Sequence, residues 1–174
     1  KPYYLNYDRL KGWIKELESS NSDKAARMFH EELELSVERV HQFYSTQERA
    51  IQQEVEDAKV ACEEELCSAE DENKIAKLKD EIERLRDFAE KNAEGFRKIA
   101  KKYDKNVKAL TSVGPNECPS LQERVLHLVK ELPFANAQAR LTSLREALDM
   151  MEMGDKPSAR MTRLTSSTGG FGRR

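Results

Sequence analysis

The chain has 174 residues, of which 36% are charged, with only 7 glycines and 5 prolines. That length bounds it to one domain, or one domain and a tail, and its wealth of Glu, Lys, Leu and Ala points to long helices rather than a sheet. A formal net charge of −2 argues against general nucleic-acid binding, which usually needs an overall basic surface, so any anion site must be local.

Tyr3 to Ser19 predicts a short helix with Leu10, Trp13, Ile14 and Leu17 on its core side. Tyr7 and Lys11, four residues apart, share a neighbouring face. By themselves they read as an amphipathic tyrosine and a snorkelling lysine at a core margin. Asn21-Ser22-Asp23 supplies N-cap chemistry for the next helix. From there to Leu66 no proline or glycine intervenes, and Phe29, Leu33, Val37, Val40, Tyr44, Ile51, Val55, Ala58, Cys62 and Leu66 keep a three-to-four spacing. The outer half of this helix, from Gln52 to Glu65, is acidic and poor in large apolar groups. It is expected to project beyond the main core.

Ser68-Ala69-Glu70-Asp71 marks the expected reversal. The return helix carries Ile75, Leu78, Ile82, Leu85, Phe88, Phe96, Ile99, Tyr103, Val107 and Leu110, with Gly95 as a candidate kink. Gly114-Pro115 breaks the chain. Ser120-Leu121-Gln122-Glu123 is a capping box after Pro119, with Leu121, Val125, Leu128 and Leu132 behind it. Pro133 ends that helix or starts the next. The last helix has a heptad of Phe134, Ala137, Leu141, Leu144, Leu148 and Met151, with Gly154 as its C-terminal cap. Residues 155–174 read as a basic, Ser/Thr/Gly-rich tail or linker. The predicted fold is all-α: two long antiparallel helices forming a hairpin, with shorter helices packed at one end. The helical domain is expected over 1–153 and the tail over 154–174.

Within the return helix, Lys98, Lys101, Lys102 and Lys105 fall at i, i+3, i+4 and i+7, on one narrow stripe. Phe96, Ile99, Ala100, Tyr103 and Val107 fall on the opposite side. Like charges at such spacings disfavour a helix by roughly 0.2–0.5 kcal/mol per pair. Just upstream, Asp80/Arg84 and Asp87/Lys91 alternate in sign at i, i+4, so the chain avoids this cost elsewhere. A stripe without that alternation is either one more solvated face or a site for an anionic ligand. The segregation of charge favours the ligand.

Chemistry of other kinds is not encoded. His30-Glu31 fails the HExxH zinc pattern because position 34 is Glu34, and His41 and His127 have no ligand partners at useful spacing. There is no Gly-rich phosphate loop and no GxSxG, so neither catalytic nor metal-ligating residues are assigned. Cys62, Cys67 and Cys118 are odd in number without a CxxC pair, and are expected as reduced thiols of a cytoplasmic protein. No apolar run approaches the ~20 residues that span a bilayer. The chain starts at Lys1 rather than Met, and is expected to be a fragment.

Three stretches together resemble the SPX domain, the phosphate-sensing module of eukaryotic phosphate transporters, phosphate exporters and polyphosphate polymerase complexes. Tyr3-Tyr4-Leu5-Asn6-Tyr7-Asp8-Arg9-Leu10-Lys11 is similar to the family's opening segment ending in Y-x-x-x-K. Glu38-Arg39-Val40-His41-Gln42-Phe43-Tyr44 is similar to its long-helix signature. Asn92 to Lys105 is the most specific, and resembles N-x-T-G-F-R-K-I-x-K-K-x-D-K. The resemblance covers roughly residues 1–153.

The resemblance implies a basic surface that binds inositol polyphosphates and pyrophosphates. Tyr7, Lys11 and Lys98 would form a phosphate-binding cluster, and Lys101, Lys102 and Lys105 an adjoining lysine cluster. Inositol hexakisphosphate or an inositol pyrophosphate is the implied ligand, with inorganic phosphate or sulfate as smaller anions for the same donors, and no cofactor. The implied partner is an attached effector domain or a separate protein, with no nucleic acid and no membrane insertion. Two departures stand out. The family's short opening helix beginning Met-Lys-Phe is absent, and Glu94, where the family often has threonine, sits at i, i+4 before Lys98. The alternative function is a helical scaffold whose basic face meets an acidic protein surface or an anionic membrane.

Overall fold

The computed structural model describes residues 3–20, 22–64, 69–110 and 120–154. Helix follows helix: α1 Tyr7–Ser20, α2 Asp23–Glu64, α3 Ala69–Leu110, α4 Leu121–Lys130 and α5 Ala137–Gly154, with a 3-10 turn at Pro133–Asn136 before α5. The described residues contain no strand, and the all-α hairpin read from periodicity is the observed architecture. At 42 residues each, α2 and α3 are about 63 Å long. Their antiparallel register shows in two ring pairs. Phe29 stacks on Tyr103 with centroids 4.4 Å apart, and Phe43 meets Phe88 at 4.8 Å. Moving 14 residues up α2 (29 to 43) moves 15 down α3 (103 to 88).

The seam is the predicted apolar series. Phe29, Leu33, Val40, Tyr44, Ile51, Val55 and Ala58 of α2 are buried, as are Ile75, Leu78, Ile82, Leu85, Phe88, Phe96, Ile99 and Tyr103 of α3. Each large side chain so buried contributes about 1.5–3 kcal/mol. Val55 and Ala58 belong to the segment expected to stand clear of the core, yet both are buried at 5% exposure. The partner helix runs alongside them, so even the acidic arm keeps a thin apolar seam. Several sequence expectations fall outside the described residues: Asn21, Leu66, Ser68, Cys67, Gly114-Pro115, Cys118, Pro119, the side chains of Val107, Leu110 and Leu128, and the tail from 155.

Two expectations need correction, and the role of one glycine becomes specific. The first helix starts at Tyr7 rather than Tyr3, because Asn6 caps it: its carbonyl accepts from the Leu10 N–H at 3.1 Å and its Oδ1 from the Arg9 N–H at 3.3 Å. Gly95 does not break α3, which is continuous from Ala69 to Leu110. A Cβ at Gly95 would lie 2.8 Å from Leu5 Cδ2, so the glycine serves close approach of the N-terminal segment. Cys62 is disulfide-bonded rather than a free thiol. Bridge formation depends on how closely two Cα atoms approach in the fold, and cysteine counts carry no record of that.

That N-terminal segment runs across the hairpin. Tyr3 stacks on Phe43 at 4.4 Å and Tyr4 meets Phe88 edge-on at 4.8 Å. The Leu5 N–H donates to Asn92 Oδ1 at 2.9 Å, while Asn92 Nδ2 donates to the Phe88 carbonyl at 2.7 Å. Asn92 is 1% exposed, so a side chain poorly suited to a helix interior is fully used. α1 then buries Leu10, Ile14 and Leu17. Arg9 adds a contact to Glu32 of α2 at 3.1 Å, and Arg39 shares the same carboxylate at 3.4 Å.

The short C-terminal helices close the other side. The Ser120/Glu123 capping box forms as predicted, with bonds of 3.1 and 2.9 Å. Asp104 Oδ1 accepts from the Leu121 N–H at 2.8 Å and ties the start of α4 to α3. Pro133 opens the 3-10 turn, and Phe134, Ala137, Leu141 and Leu148 are buried. Leu144 and Met151 are only partly covered. α5 also leans on ion pairs. Arg140 donates to buried Glu48 at 2.6 Å, Arg145 pairs with Glu83, and Lys79 holds both Asp149 and, at 2.9 Å, Glu152. Tyr44 donates to the other Glu48 oxygen at 2.9 Å, and burial pushes its phenol up to about 12.

Two substitutions test this scaffold. Arg140→Ala leaves Glu48 buried without its cation, and is expected to cost about 1–3 kcal/mol, below the full buried-pair value because the arginine is partly solvated. Asn92→Ala removes the acceptor for the Leu5 N–H and is expected to cost about 1–3 kcal/mol. Urea denaturation of each variant beside the parent chain measures both losses.

Candidate functional site

The site is built where α1 crosses α3. Because Phe96, Ile99, Ala100 and Tyr103 are buried, the helical period turns Lys98, Lys101, Lys102 and Lys105 away from the core. Lys98, Lys101 and Lys105 are exposed and Lys102 is half-buried. On the far side of the same turns, Tyr103 stacks on Phe29, and its hydroxyl lies 3.2 Å from His30 Nε2. The apolar half of α3 is thus committed to packing, and the lysine half is left to solvent.

Tyr7 reaches this face from α1. It lines a cavity of about 450 Å³ together with Tyr4, Leu5, Lys91, Asn92, Glu94, Gly95 and Lys98. Tyr7 and Lys98 are therefore brought to one cavity although they are 98 − 7 = 91 residues apart. The Leu5–Asn92 bond and the closeness of Leu5 to Gly95 bring this about. Lys11, one turn further along α1, is half-buried and is not among the residues lining that cavity. Lys101, Lys102 and Lys105 extend the basic face along α3, also outside the cavity's lining.

The electrostatics of the stripe are uneven. Lys98 Nζ is 3.3 Å from the Glu94 carboxylate, the i, i+4 pairing that the sequence allowed. Glu94 is gripped more tightly by Arg97, whose Nε and Nη2 donate at 2.6 and 2.7 Å. Hydrogen bonding from Arg97, with Lys98 adding to it, holds the Glu94 carboxyl down at about 2, so it is ionised throughout the neutral range. Lys91 is paired with Asp87 at 2.7 Å. Lys101, Lys102 and Lys105 form no ion pair with another described residue.

Arg97 and Lys91 also belong to this region, and each has an acid three or four residues before it, Glu94 and Asp87, with which it pairs. Asn92, a polar amide at a core-facing helical position among Phe88, Phe96 and Ile99, was the available signal for a buried clamp. A larger groove of about 610 Å³ adjoins the site and shares Tyr4 and Lys91 with it. Its walls carry the rings of Tyr3, Tyr4, Phe43 and Phe88, and its cations Arg84 and Lys91 are paired with Asp80 at 3.8 Å and Asp87 at 2.7 Å. Such a wall is less suited to anions than the lysine face. Among the described residues no group of three or more His, Cys, Asp or Glu side chains could hold a metal ion, and no helix is long and apolar enough to cross a membrane.

What the lysine face offers is ammonium and phenol donors on a rigid frame, a set suited to oxyanions. No protein-family model matches the chain, and no curated protein does. Among solved structures, the chain is similar to the SPX domain of Chaetomium thermophilum glycerophosphodiester phosphodiesterase 1 in complex with inositol hexakisphosphate. The TM-score is 0.65 at 23% sequence identity, over 87% of this chain and 90% of that one. The helical hairpin with its crossing first helix has the fold of an SPX domain.

Proposed function

We propose that this chain is a binding module for inositol polyphosphates or pyrophosphates, with Tyr7, Lys11 and Lys98 holding one phosphate and Lys101, Lys102 and Lys105 receiving its neighbours. The observation that carries this reading is the cavity shared by Tyr7 and Lys98, on a helix that carries three further lysines without ion-pair partners among the described residues. A generic basic helix would not need a tyrosine from another helix at its edge. The fold likeness to a domain whose structure contains inositol hexakisphosphate supports the same ligand class. A compact ring carrying many oxyanions requires several convergent donors, and a rigid helix crossing supplies them without ordering a loop on binding.

In this reading the helical unit spans 1–153, and 154–174 is a tail or linker. The module itself does no catalysis. It reports ligand level to an attached domain or a partner protein, in the cytoplasm, as part of phosphate homeostasis.

Exposed lysine–phosphate contacts are worth ~0.2–1 kcal/mol singly, so affinity comes from their sum. Replacing Lys98, Lys101 and Lys102 together by alanine is expected to lower affinity for inositol hexakisphosphate by about threefold to a hundredfold, read by titration calorimetry. Thermal stability is expected to hold or rise as like-charge repulsion is removed. Parallel titrations with an acidic peptide and with anionic liposomes distinguish the scaffold and membrane alternatives. Tight binding to either, without inositol hexakisphosphate binding, would replace this proposal.

The shared cavity gives a sharper test. Tyr7→Phe keeps the ring and deletes only the hydroxyl, and is expected to weaken binding by roughly 0.5–1.5 kcal/mol, or up to ~3 kcal/mol for a charged acceptor. Combined with Lys98→Ala, the losses are expected to be non-additive, because both groups serve one phosphate. A silent Tyr7→Phe with strict additivity would leave only a basic patch.

A further inference from the structure

The cations of the lysine face are of two kinds. Lys101, Lys102 and Lys105 have no ion pair with another described residue. Lys98, which shares the cavity with Tyr7, lies 3.3 Å from Glu94. Lys91, the other cation on the cavity wall, is held by Asp87 at 2.7 Å. Every ammonium group lining the cavity therefore has a carboxylate beside it before any ligand arrives. Glu90 and Glu94 also line the cavity and add two negative charges to its wall.

Resting on the function proposed above, we infer that Glu94 is a built-in competitor for the ligand, a carboxylate that takes the donors an incoming phosphate needs and sets a charge threshold for binding. The geometry supports this role. The carboxylate spans Arg97 through both oxygens and still reaches Lys98, so one side chain occupies donors on two cations. Glu94 is 43% exposed and Lys98 is 59% exposed. The pair is therefore a solvated surface contact that a stronger anion can displace, unlike the clamp of a buried pair. Its acidity does not relieve the competition near neutrality, since the Arg97 bonds keep the carboxyl ionised down to about pH 2.

The consequence is selectivity by charge density. A lone oxyanion gains at Lys98 about what it loses by displacing Glu94, and it reaches no donors beyond the Tyr7 cluster. An inositol polyphosphate brings further phosphates to Lys101, Lys102 and Lys105 while one phosphate contends with Glu94. The uncompensated lysines capture the ligand first, and the compensated cavity then sorts it. A module built this way ignores inorganic phosphate and acidic side chains that a bare lysine cluster would hold weakly.

The test is calorimetric titration of the full chain, at two salt concentrations, with inositol hexakisphosphate and with inorganic phosphate. The variants are Glu94→Gln, which removes the charge and keeps the shape, and Glu94→Asp, which keeps the charge. Glu94→Gln is expected to bind inositol hexakisphosphate about tenfold more tightly than the parent, with the gain shrinking at higher salt as screening grows. Inorganic phosphate should gain less, because the repulsion removed scales with ligand charge. Glu94→Asp should stay within about threefold of the parent, since its charge is retained. If the parent binds inositol hexakisphosphate and Glu94→Gln binds it no more tightly, the competitor role is overturned and the ligand reading stands. If neither binds it, the ligand reading falls and this inference falls with it.

Discussion

The site depends on the rotational phase of one unbroken helix. α3 runs from Ala69 to Leu110 without interruption, and a helix cannot bury one face without presenting the opposite one. Burial of Phe88, Phe96, Ile99 and Tyr103 in the core therefore fixes where Lys98, Lys101, Lys102 and Lys105 point. Rotating the stripe toward the protein would expose four large apolar groups, at about 1.5–3 kcal/mol each. The repulsion among the lysines, at a few tenths of a kilocalorie per pair, is far too weak to compete. Packing energy holds like charges together on a surface where electrostatics alone would separate them.

A second constraint turns this stripe from a helix face into a cavity. The N-terminal segment crosses α3 at one place, set by three local fits. Asn92 takes the Leu5 N–H, Gly95 leaves room for the Leu5 side chain, and the rings of Tyr3 and Tyr4 meet Phe43 and Phe88. Asn6 then starts α1, so Tyr7 emerges beside Lys98 instead of continuing a helix begun at Tyr3. A buried amide would be a liability in a helix interior if unpaired. Here both ends of it are bonded, and the cost of burying it becomes specificity for one crossing.

Charge is used differently at the two flanks of the hairpin. Along α5 the ion pairs are structural, linking Arg140, Arg145, Asp149 and Glu152 to Glu48, Glu83 and Lys79. They supplement a helix whose buried series is short, and Glu48 is covered enough that its cation cannot be removed without consequence. Around Lys98 the pairs are solvated and exchangeable. The same residue types thus act as fasteners where one partner is covered, as Glu48 and Lys79 are, and as competitors where both partners reach water.

The sequence by itself determined the hairpin, because a three-to-four apolar spacing runs for some forty residues on each side of a polar turn, with no proline and with Gly95 as the one glycine. The lysine stripe was equally legible, as was the Ser120/Glu123 cap, since both depend only on neighbours within one helical turn. Tertiary structure alone decided the rest. That Tyr7 and Lys98 line one cavity depends on a crossing set some ninety residues away, and no local periodicity encodes it. That Gly95 makes space for a neighbour depends on Leu5 lying above it. Whether Lys98 is free or shared with Glu94 was a spacing possibility until the rotamers of Glu94, Arg97 and Lys98 were placed together. Local order follows from short-range periodicity, whereas convergence of side chains from separate helices follows from how the chain spends its buried surface.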